Sequence, residues 1–236
     1  MTFEEKIKQR YTGSQGREYH EGKRSIPDTA YHWVAKLRAE KISSHIGRND
    51  VVFEYGVGSG WNLAELNCEK KLGYDLSEHL AETVRLHGIE FVKDVGSVAD
   101  SSADALVCHH VLEHMANPVE FFGDARRILR NKGKLLLFVP YEKEKRYRYY
   151  NPNEPNHHLY SWNVQTLGNL VTDMGFEIEL PAGRNDKAGI RKFGYDRFSS
   201  VWAVKLHLGE SGFRLIRRAI HIIKPAYEIC IIAMKE

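Results

Sequence analysis

The 236-residue chain has few cysteines, few prolines and no long apolar stretch. Its three cysteines, Cys68, Cys108 and Cys230, are odd in number and far apart, so the sequence contains neither a disulfide framework nor a CxxC zinc motif. No apolar stretch approaches the roughly 20 residues of a membrane-spanning helix. The charged N-terminal segment lacks the apolar core of a signal peptide. These absences favour a cytoplasmic protein in a reducing compartment.

The remaining composition is that of a globular protein. Hydrophobic residues make up 42% and charged residues 28% of the chain, which excludes collagen-like, mucin-like and wholly disordered classes. At roughly 100–200 residues per domain, the length fits one large domain, or one domain with an appendage.

Strand and helix patterns alternate along the chain after a polar, aromatic N-terminal segment. Seven apolar segments predict strands: 51–53, a segment ending at 75, 89–92, 104–108, 134–139, 176–180 and 227–234. Helical segments, the first of them a short helix over about 61–68, separate the first five strands. Right-handed crossovers then give a doubly wound, mostly parallel sheet with helices on both faces. We expect the last strand to be antiparallel.

A glycine-rich turn, Glu54-Tyr-Gly56-Val-Gly58-Ser-Gly60, follows the first predicted strand. Glycines there let a ligand approach backbone N–H groups closely. A dinucleotide motif G-x-G-x-x-G needs a small residue where Trp61 or Leu63 stands, and a P-loop needs a Gly-Lys-Ser/Thr ending that is absent.

An acidic residue, Asp75, ends the second predicted strand. An acid at this point of a dinucleotide-binding fold accepts hydrogen bonds from both ribose hydroxyls. The glycine turn and Asp75 therefore predict a site for a ligand that carries a ribose. The alternative for Asp75 alone is a turn or helix-start residue.

The pattern acid-x-Gly-x-Gly-x-Gly resembles motif I of the class I S-adenosylmethionine-dependent methyltransferases. The resemblance continues through Asp104-Ala-Leu-Val-Cys-His-His-Val-Leu-Glu-His114, through Asn117-Pro118, and through the strand that ends at Pro140. It covers about 48–180 and a last strand near 226–235. It implies a Rossmann-like fold, an N-terminal arm and lid helix over 1–47, a methyltransferase domain over 48–236, and S-adenosyl-L-methionine as cofactor.

The resemblance implies nine cofactor-binding residues. They are Glu54, Gly56, Gly58, Gly60 and His109 at the methionine end, Asp75 at the ribose, and Leu76, Asp94 and Val95 at the adenine.

Histidines supply the candidate catalytic groups. An oxygen nucleophile can need a general base, and histidine titrates near neutral pH. His110 follows the fourth predicted strand, in the crevice where open α/β sheets bind ligands, and His157 and His158 lie in the loop after the fifth. We predict these three as candidate bases, with hydrogen-bonded wall or loop histidines as the alternative.

A metal centre is a second interpretation of the histidines. In it, the histidines at 109, 110, 114, 157 and 158 converge with Glu113. Neighbouring residues on a strand point to opposite faces, however, so we expect that His109 and His110 do not share an ion. We predict no catalytic metal.

The segment 184–224 is a basic insert between the last two predicted strands. It carries ten Lys or Arg and three acidic residues, a charge of +7 in a chain of net charge +3. Residues 213–223 predict an amphipathic helix with an arginine-rich polar face. Such a helix packs on its own domain with the arginines in water, lies on an anionic membrane, or contacts an acidic substrate. Without a recognised RNA-binding module, we predict no nucleic-acid partner.

These observations favour methyl transfer from S-adenosylmethionine to a small-molecule acceptor, by O-methylation of a sugar, quinol or lipid-linked intermediate. The alternatives are an NAD-dependent oxidoreductase, and a non-catalytic cofactor-binding protein that recruits a partner or a membrane. The predicted location is cytoplasmic, with peripheral membrane contact through the insert as an option.

Overall fold

A computed structural model describes residues 1–23, 25–142, 148–154, 156–179 and 188–236. Within these ranges, eight strands form one sheet in the order β3-β2-β1-β4-β5-β8-β6, and β7 also pairs with β8. The strands are β1 (Val51–Tyr55), β2 (Lys70–Tyr74), β3 (Glu90–Val92), β4 (Ala103–His109), β5 (Leu129–Pro140), β6 (Phe176–Ile178), β7 (Ala188–Lys192) and β8 (Tyr227–Lys235).

The first five strands are parallel, and β8 is antiparallel to β5, β6 and β7. The predicted Rossmann-like, mostly parallel sheet with an antiparallel last strand is confirmed. The strand order reverses between β1 and β4, and open α/β sheets bind ligands at the carboxyl ends of the strands at such a point.

One strand was missed by the sequence analysis. β7 lies inside the predicted basic insert, and its residues Ala-Gly-Ile-Arg-Lys have neither a run of apolar residues nor a clear alternation. It forms because β8 offers an unpaired edge, where the first half of β8 pairs with β7 and the second half with β6.

Eight helices accompany the sheet in the described ranges. They are α1 (Phe3–Tyr11), α2 (Gly13–Lys23), α3 (Tyr31–Glu40), α4 (Ala81–Leu86), α5 (Pro118–Ile128), α6 (Val164–Asp173), α7 (Asp196–Lys205) and α8 (Gly209–Ile223). None of these helices is long and apolar enough to cross a membrane.

Two apolar layers sandwich the sheet. On one face, Phe53, Leu106 and Leu137 pack with α5 and α6, and on the other Val107 and Phe138 pack with α3 and α4. Residues of opposite parity along each strand enter different layers, because successive side chains of a strand point to opposite faces. Burial on both faces explains the continuous apolar runs from which the strands were predicted.

Local signals start and stop the elements. Asn117 accepts a hydrogen bond from the Val119 amide and Pro118 opens α5, as the Asn-Pro pair predicts. The helix expected over 61–68 is wrong: the segment forms isolated turns, such as Ala64 N to Gly60 O.

The predicted amphipathic helix is α8, but its faces differ from the prediction. Two of its arginines face the protein: Arg214 makes a two-pronged ion pair with Glu40 (2.7 and 2.9 Å), and Arg217 binds Asp196 (2.8 Å). Phe213 is buried against α3 and α7. Leu215, Ile222 and Ile223, in contrast, are 69, 73 and 85% exposed. Because the ion pairs anchor the helix, part of its apolar surface is directed outward.

Candidate active site

The glycine turn directly follows β1. Gly56, Gly58 and Gly60 have positive φ angles of 79, 52 and 80°, which residues with a Cβ adopt only with strain. A Cβ at Gly56 would lie 2.2 Å from Val111 Cγ2, whereas one at Gly58 would meet open space. The turn thus packs tightly against the segment after β4 and presents bare backbone at its centre.

Asp75 ties this turn to the end of β2. Its Oδ2 accepts a hydrogen bond from the Gly58 amide and its Oδ1 accepts one from the Ser77 amide, both at 2.8 Å. Asp75 and Leu76 line a cavity of about 230 Å³, which meets a second cavity of about 220 Å³ at Gly56, His20 and His110. Together the two cavities reach the size that holds small ligands, about 300–1,000 Å³.

Glu54 is a fully buried acid behind the turn. Its Oε1 accepts a hydrogen bond from Asn62 Nδ2 (2.5 Å), while its Oε2 has no hydrogen-bond partner among the described residues. Burial raises the pKa of Glu54 to about 8. A buried carboxyl with a spare oxygen suits a cationic ligand group. Glu54 is not part of the lining of either cavity, however, so its contact with the amino group of a methionine moiety stays a prediction.

Asp94 and Val95, which the resemblance also places at the adenine, lie outside the two cavities. Asp94 is exposed, and its Oδ1 accepts from the Gly96 amide in its own turn (3.0 Å). Val95 has a buried side chain in the apolar layer of α5. Neither residue is part of the lining of the two cavities, so their contact with adenine stays a prediction.

His109 and His110 form a pair at the end of β4. Their rings stack at 4.4 Å with 10° between the planes, and the Nε2 of each lies 3.3 Å from Glu228 Oε2. The expectation that they diverge is wrong. His110 has left the strand with a φ of 56°, so the alternation of strand side chains no longer applies.

Cations surround this pair and set its protonation. Lys41 Nζ lies 2.9 Å from Glu228 Oε1 and 2.5 Å from His109 Nε2. Burial, with the cations of Lys41 and Arg38, lowers the pKa of His110 to about 4, against the opposing effect of Glu228. Lys41 and the histidines hold the pKa of Glu228 well below its usual range despite burial. At neutral pH, His110 is neutral beside an ionised Glu228.

Glu228 and Lys41 were missed by the sequence analysis. Glu228 is 1% exposed and is the second residue of the apolar strand β8. A charged residue inside such a strand is rare unless it is paired, and this signal was available in the sequence. Lys41 follows α3 and carries no comparable signal, because lysine near a helix end is common on protein surfaces.

The other two candidate bases, His157 and His158, lie in different surroundings. His157 is exposed, and its backbone N–H donates to Glu154 Oε2 (2.7 Å). His158 is half-buried, with Nδ1 2.7 Å from Glu142 Oε1 and Nε2 4.0 Å from Glu113 Oε1. The structure therefore brings His110 to the cavities, His158 to Glu113 and His114, and His157 to the surface.

The predicted N-terminal arm and the basic insert both reach the cavities. Tyr11 of α1 and Tyr19 of α2 line the larger one, and Ser77 Oγ donates to the Tyr11 carbonyl (2.5 Å). Phe193 and Tyr195, from the basic insert, line the smaller one. The N-terminal arm thus covers the side of Asp75, and the insert covers the side of His110.

Comparison with known proteins identifies the family. A family model described as a methyltransferase domain matches residues 28–180, more than half of the chain. The chain belongs to the class I S-adenosylmethionine-dependent methyltransferases. The match covers the glycine turn, Asp75 and both histidine clusters, and the cofactor of this methyltransferase is S-adenosylmethionine.

Two curated relatives are similar in sequence. The ubiquinone biosynthesis O-methyltransferase of Xanthomonas oryzae is 27% identical over 125 residues, which are 47% of this chain and 52% of that protein. This chain thus spans about half the length of that relative. A protein of Mycolicibacterium smegmatis, named "Probable S-adenosylmethionine-dependent methyltransferase", is 26% identical over 181 residues, 72% of this methyltransferase and 69% of the relative.

A solved structure shows the same fold. The SAM-dependent methyltransferase of Thermotoga maritima superposes with a TM-score of 0.62 at 15% identity and covers 98% of this chain and 99% of its own. At that identity the likeness establishes the fold of this methyltransferase and leaves its acceptor open.

Proposed function

We propose that this methyltransferase methylates an oxygen atom of a small molecule, with a sugar, a quinol or a lipid-linked intermediate as the acceptor class. The observation that carries the proposal is the His110–Glu228 pair at the junction of the two cavities. Bound S-adenosylmethionine supplies an electrophilic methyl group on its sulfonium. The residues of this chain must then align an acceptor and remove its proton.

The two cavities divide these tasks. Glu54, Gly58 and Asp75 would hold the cofactor on the side of β1 and β2, where the glycine turn presents bare backbone. Phe193 and Tyr195 would form a wall for the acceptor on the other side. Exclusion of water between these covers favours alignment of the two reactants, which supplies much of the rate of such displacements.

His110 is the base in this proposal. Its pKa of about 4 makes the ring neutral at neutral pH but only weakly basic. In this proposal a ring nitrogen therefore accepts the hydroxyl proton as the methyl group is transferred, when the oxygen becomes much more acidic. The ionised Glu228, 3.3 Å from His110 Nε2, would stabilise the imidazolium that forms. A phenolic or quinol hydroxyl, with a pKa of roughly 10 as in tyrosine, is easier to deprotonate than an alcohol. The name of the Xanthomonas relative supports the same acceptor class.

Two measurements test the proposal. Isothermal titration with S-adenosylhomocysteine should show binding, and labelled methyl from the cofactor should enter a small molecule of a fractionated cell extract. His110→Ala should abolish transfer but leave cofactor affinity within a few-fold, with His32→Ala as a surface control, since the ring of His32 is exposed.

Each failure has its own meaning. Labelled RNA would overturn the acceptor class. Normal cofactor binding with no transfer to any fraction would favour the non-catalytic alternative. Binding of a nicotinamide cofactor in place of S-adenosylhomocysteine would favour the oxidoreductase.

We also propose that the protein is cytoplasmic and touches an anionic membrane through the two helices of the insert. Phe198, Trp202 and Leu206 are 52, 43 and 54% exposed along one side of α7, and Leu215 and Ile222 are exposed on α8. The exposed cations on these helices and just beyond them are Arg197, Lys205, Arg218 and Lys224. Apolar side chains flanked by cations suit a membrane interface that carries anionic lipids.

Vesicle sedimentation tests this surface. The protein should sediment with vesicles that contain phosphatidylglycerol and less with pure phosphatidylcholine. The double variant Leu215→Ser with Ile222→Ser should lose most of the binding. Leu86→Ser is the matched control, because Leu86 is 79% exposed on α4, away from the insert. Equal loss in the control, or no preference for anionic lipid, would contradict the proposal.

A further inference from the structure

The cluster of Glu113, His114 and His158 lies beside the cofactor cavity and outside the catalytic pair of His110 and Glu228. Glu113 is 1% exposed, and its Oε1 lies 3.7 Å from His114 Nε2 and 4.0 Å from His158 Nε2. One ligand atom from each residue falls within 4.8 Å of the others. We propose that these three side chains bind a divalent transition-metal ion.

The orientation of both rings supports this assignment. Each histidine directs Nε2 towards Glu113 and engages Nδ1 with a second group: Tyr11 Oη at 2.8 Å for His114, and Glu142 Oε1 at 2.7 Å for His158. In the tautomer in which His158 Nδ1 donates to Glu142, the lone pair of His158 Nε2 faces Glu113. Metal-binding histidines are held in this way by oxygen atoms on their far nitrogen.

The backbone holds the ligands in place. The Leu159 and Tyr160 amides both donate to the Glu113 carbonyl, at 2.8 and 3.2 Å. These bonds fasten the loop after β5 to the loop after β4 and bring His158 next to Glu113, although 45 positions of numbering (113 to 158) separate them. The site therefore exists only in the folded chain, at the carboxyl ends of β4 and β5.

The distances and ligand types select the ion. Ligands about 2.0–2.2 Å from Zn²⁺ lie roughly 3.3–3.6 Å apart in a tetrahedral site. The distances from Glu113 Oε1 to the two Nε2 atoms, 3.7 and 4.0 Å, exceed this ligand–ligand distance by less than about 1 Å. Small side-chain rotations can close this difference. Two imidazoles and one carboxylate suit Zn²⁺, Fe²⁺ or Co²⁺ better than Mg²⁺ or Ca²⁺, and three protein ligands leave a position open.

A second group of three possible metal ligands lies among the described residues, but it is less suited to a metal ion. His109, His110 and Glu228 also bring their ligand atoms within 4.8 Å. There, however, the Lys41 ammonium lies 2.5 Å from His109 and 2.9 Å from Glu228. It competes for the same lone pairs and repels a cation, so we assign the metal to the Glu113 cluster.

Metal titration of the full chain tests the proposal. After removal of metal with a chelator, Zn²⁺ alone should bind at one equivalent by isothermal titration, and Co²⁺ should show the visible absorption of nitrogen and oxygen ligation. Glu113→Gln and His158→Ala should each weaken binding at least 10-fold. His110→Ala, in the second group of three, and His32→Ala, at an exposed histidine, should not.

Binding of S-adenosylhomocysteine and circular dichroism report whether each variant is folded. If Glu113→Gln is unfolded, His158→Gln replaces it in the comparison. The proposal is overturned if the wild type binds less than one equivalent, if both cluster variants bind as the wild type does, or if His110→Ala causes the same loss. None of these readouts depends on methyl transfer, so failure here leaves the proposed function untouched.

Discussion

Replacement of Glu54 by glutamine should stabilise the cofactor-free protein at high pH and weaken cofactor binding. The folded-state pKa is about 8, against an ordinary value of 4.5, and burial is the main cause. Between these values the folded state holds a proton that the unfolded state has released. The contribution of this proton to stability is complete below about pH 4.5 and is lost as the pH rises to about 8.

The size of the stability difference follows from the shift in the pKa of Glu54 from 4.5 to about 8. At about 1.4 kcal/mol for each pH unit, the whole difference is at most about 5 kcal/mol, and relaxation of the buried site should reduce it to about 2–3 kcal/mol. Glutamine resembles the protonated acid, and its side-chain oxygen can still accept from Asn62. The variant should therefore equal the wild type near pH 5 and exceed it by about 2–3 kcal/mol at pH 8.

Urea unfolding at pH 5, 6.5 and 8 measures this difference, with Glu69→Gln as a control at an exposed acid. A gap between variant and wild type that does not change with pH, or a less stable variant at pH 8, would refute the reasoning. The same variant should bind S-adenosylhomocysteine about 10- to 100-fold more weakly, because a charge-assisted hydrogen bond is worth about 1.5–3 kcal/mol.

Three further predictions concern the framework of the site. Gly56→Ala should abolish cofactor binding or folding, because its Cβ would overlap Val111, whereas Gly58→Ala should cost only about 1–2 kcal/mol of backbone strain in urea unfolding. Asp196→Asn should lower the free energy of unfolding by about 3 kcal/mol, since it leaves two half-buried arginines, Arg38 and Arg217, without their carboxylate. Glu228→Gln should reduce methyl transfer at least 100-fold and keep cofactor affinity within a few-fold in titration. An equal loss of affinity would instead assign Glu228 to the cofactor.

The sequence indicated the glycine turn and Asp75 but missed the groups that surround His110. Gly56 and Asp75 were singled out because a turn that approaches a ligand needs glycine and because strand ends carry binding groups. These requirements are local and appear as spacing. Glu54 came from the resemblance to the family, and the contact of all three with the cofactor stays a prediction. The partners of His110 come from β8 and from the end of α3, far away in the chain, and no local spacing records such contacts.

The basic insert shows the same limit in another way. Its charge and helical period were visible, but its inward face depends on ion pairs from Arg214 to Glu40 and from Arg217 to Asp196. The helical period alone does not reveal these partners, so it left open whether the apolar side packs on the domain or lies on a membrane. Pairing of β7 with β8 was equally invisible, because β7 has no strand pattern of its own.

By itself, the sequence determined the sheet class, seven of the eight described strands and the glycine turn, since each rests on local periodicity or on residues close together in the chain. The cofactor followed from the resemblance of these motifs to the methyltransferase family. The tertiary structure decided which charged groups meet. It brings His109 and His110 within 3.3 Å of one carboxylate, that of Glu228. It leaves His157 exposed, whereas the neighbouring His158 joins the Glu113 cluster. The physical reason is that electrostatic and metal-binding geometry depends on distances in space, and only folding brings these residues within a few ångströms.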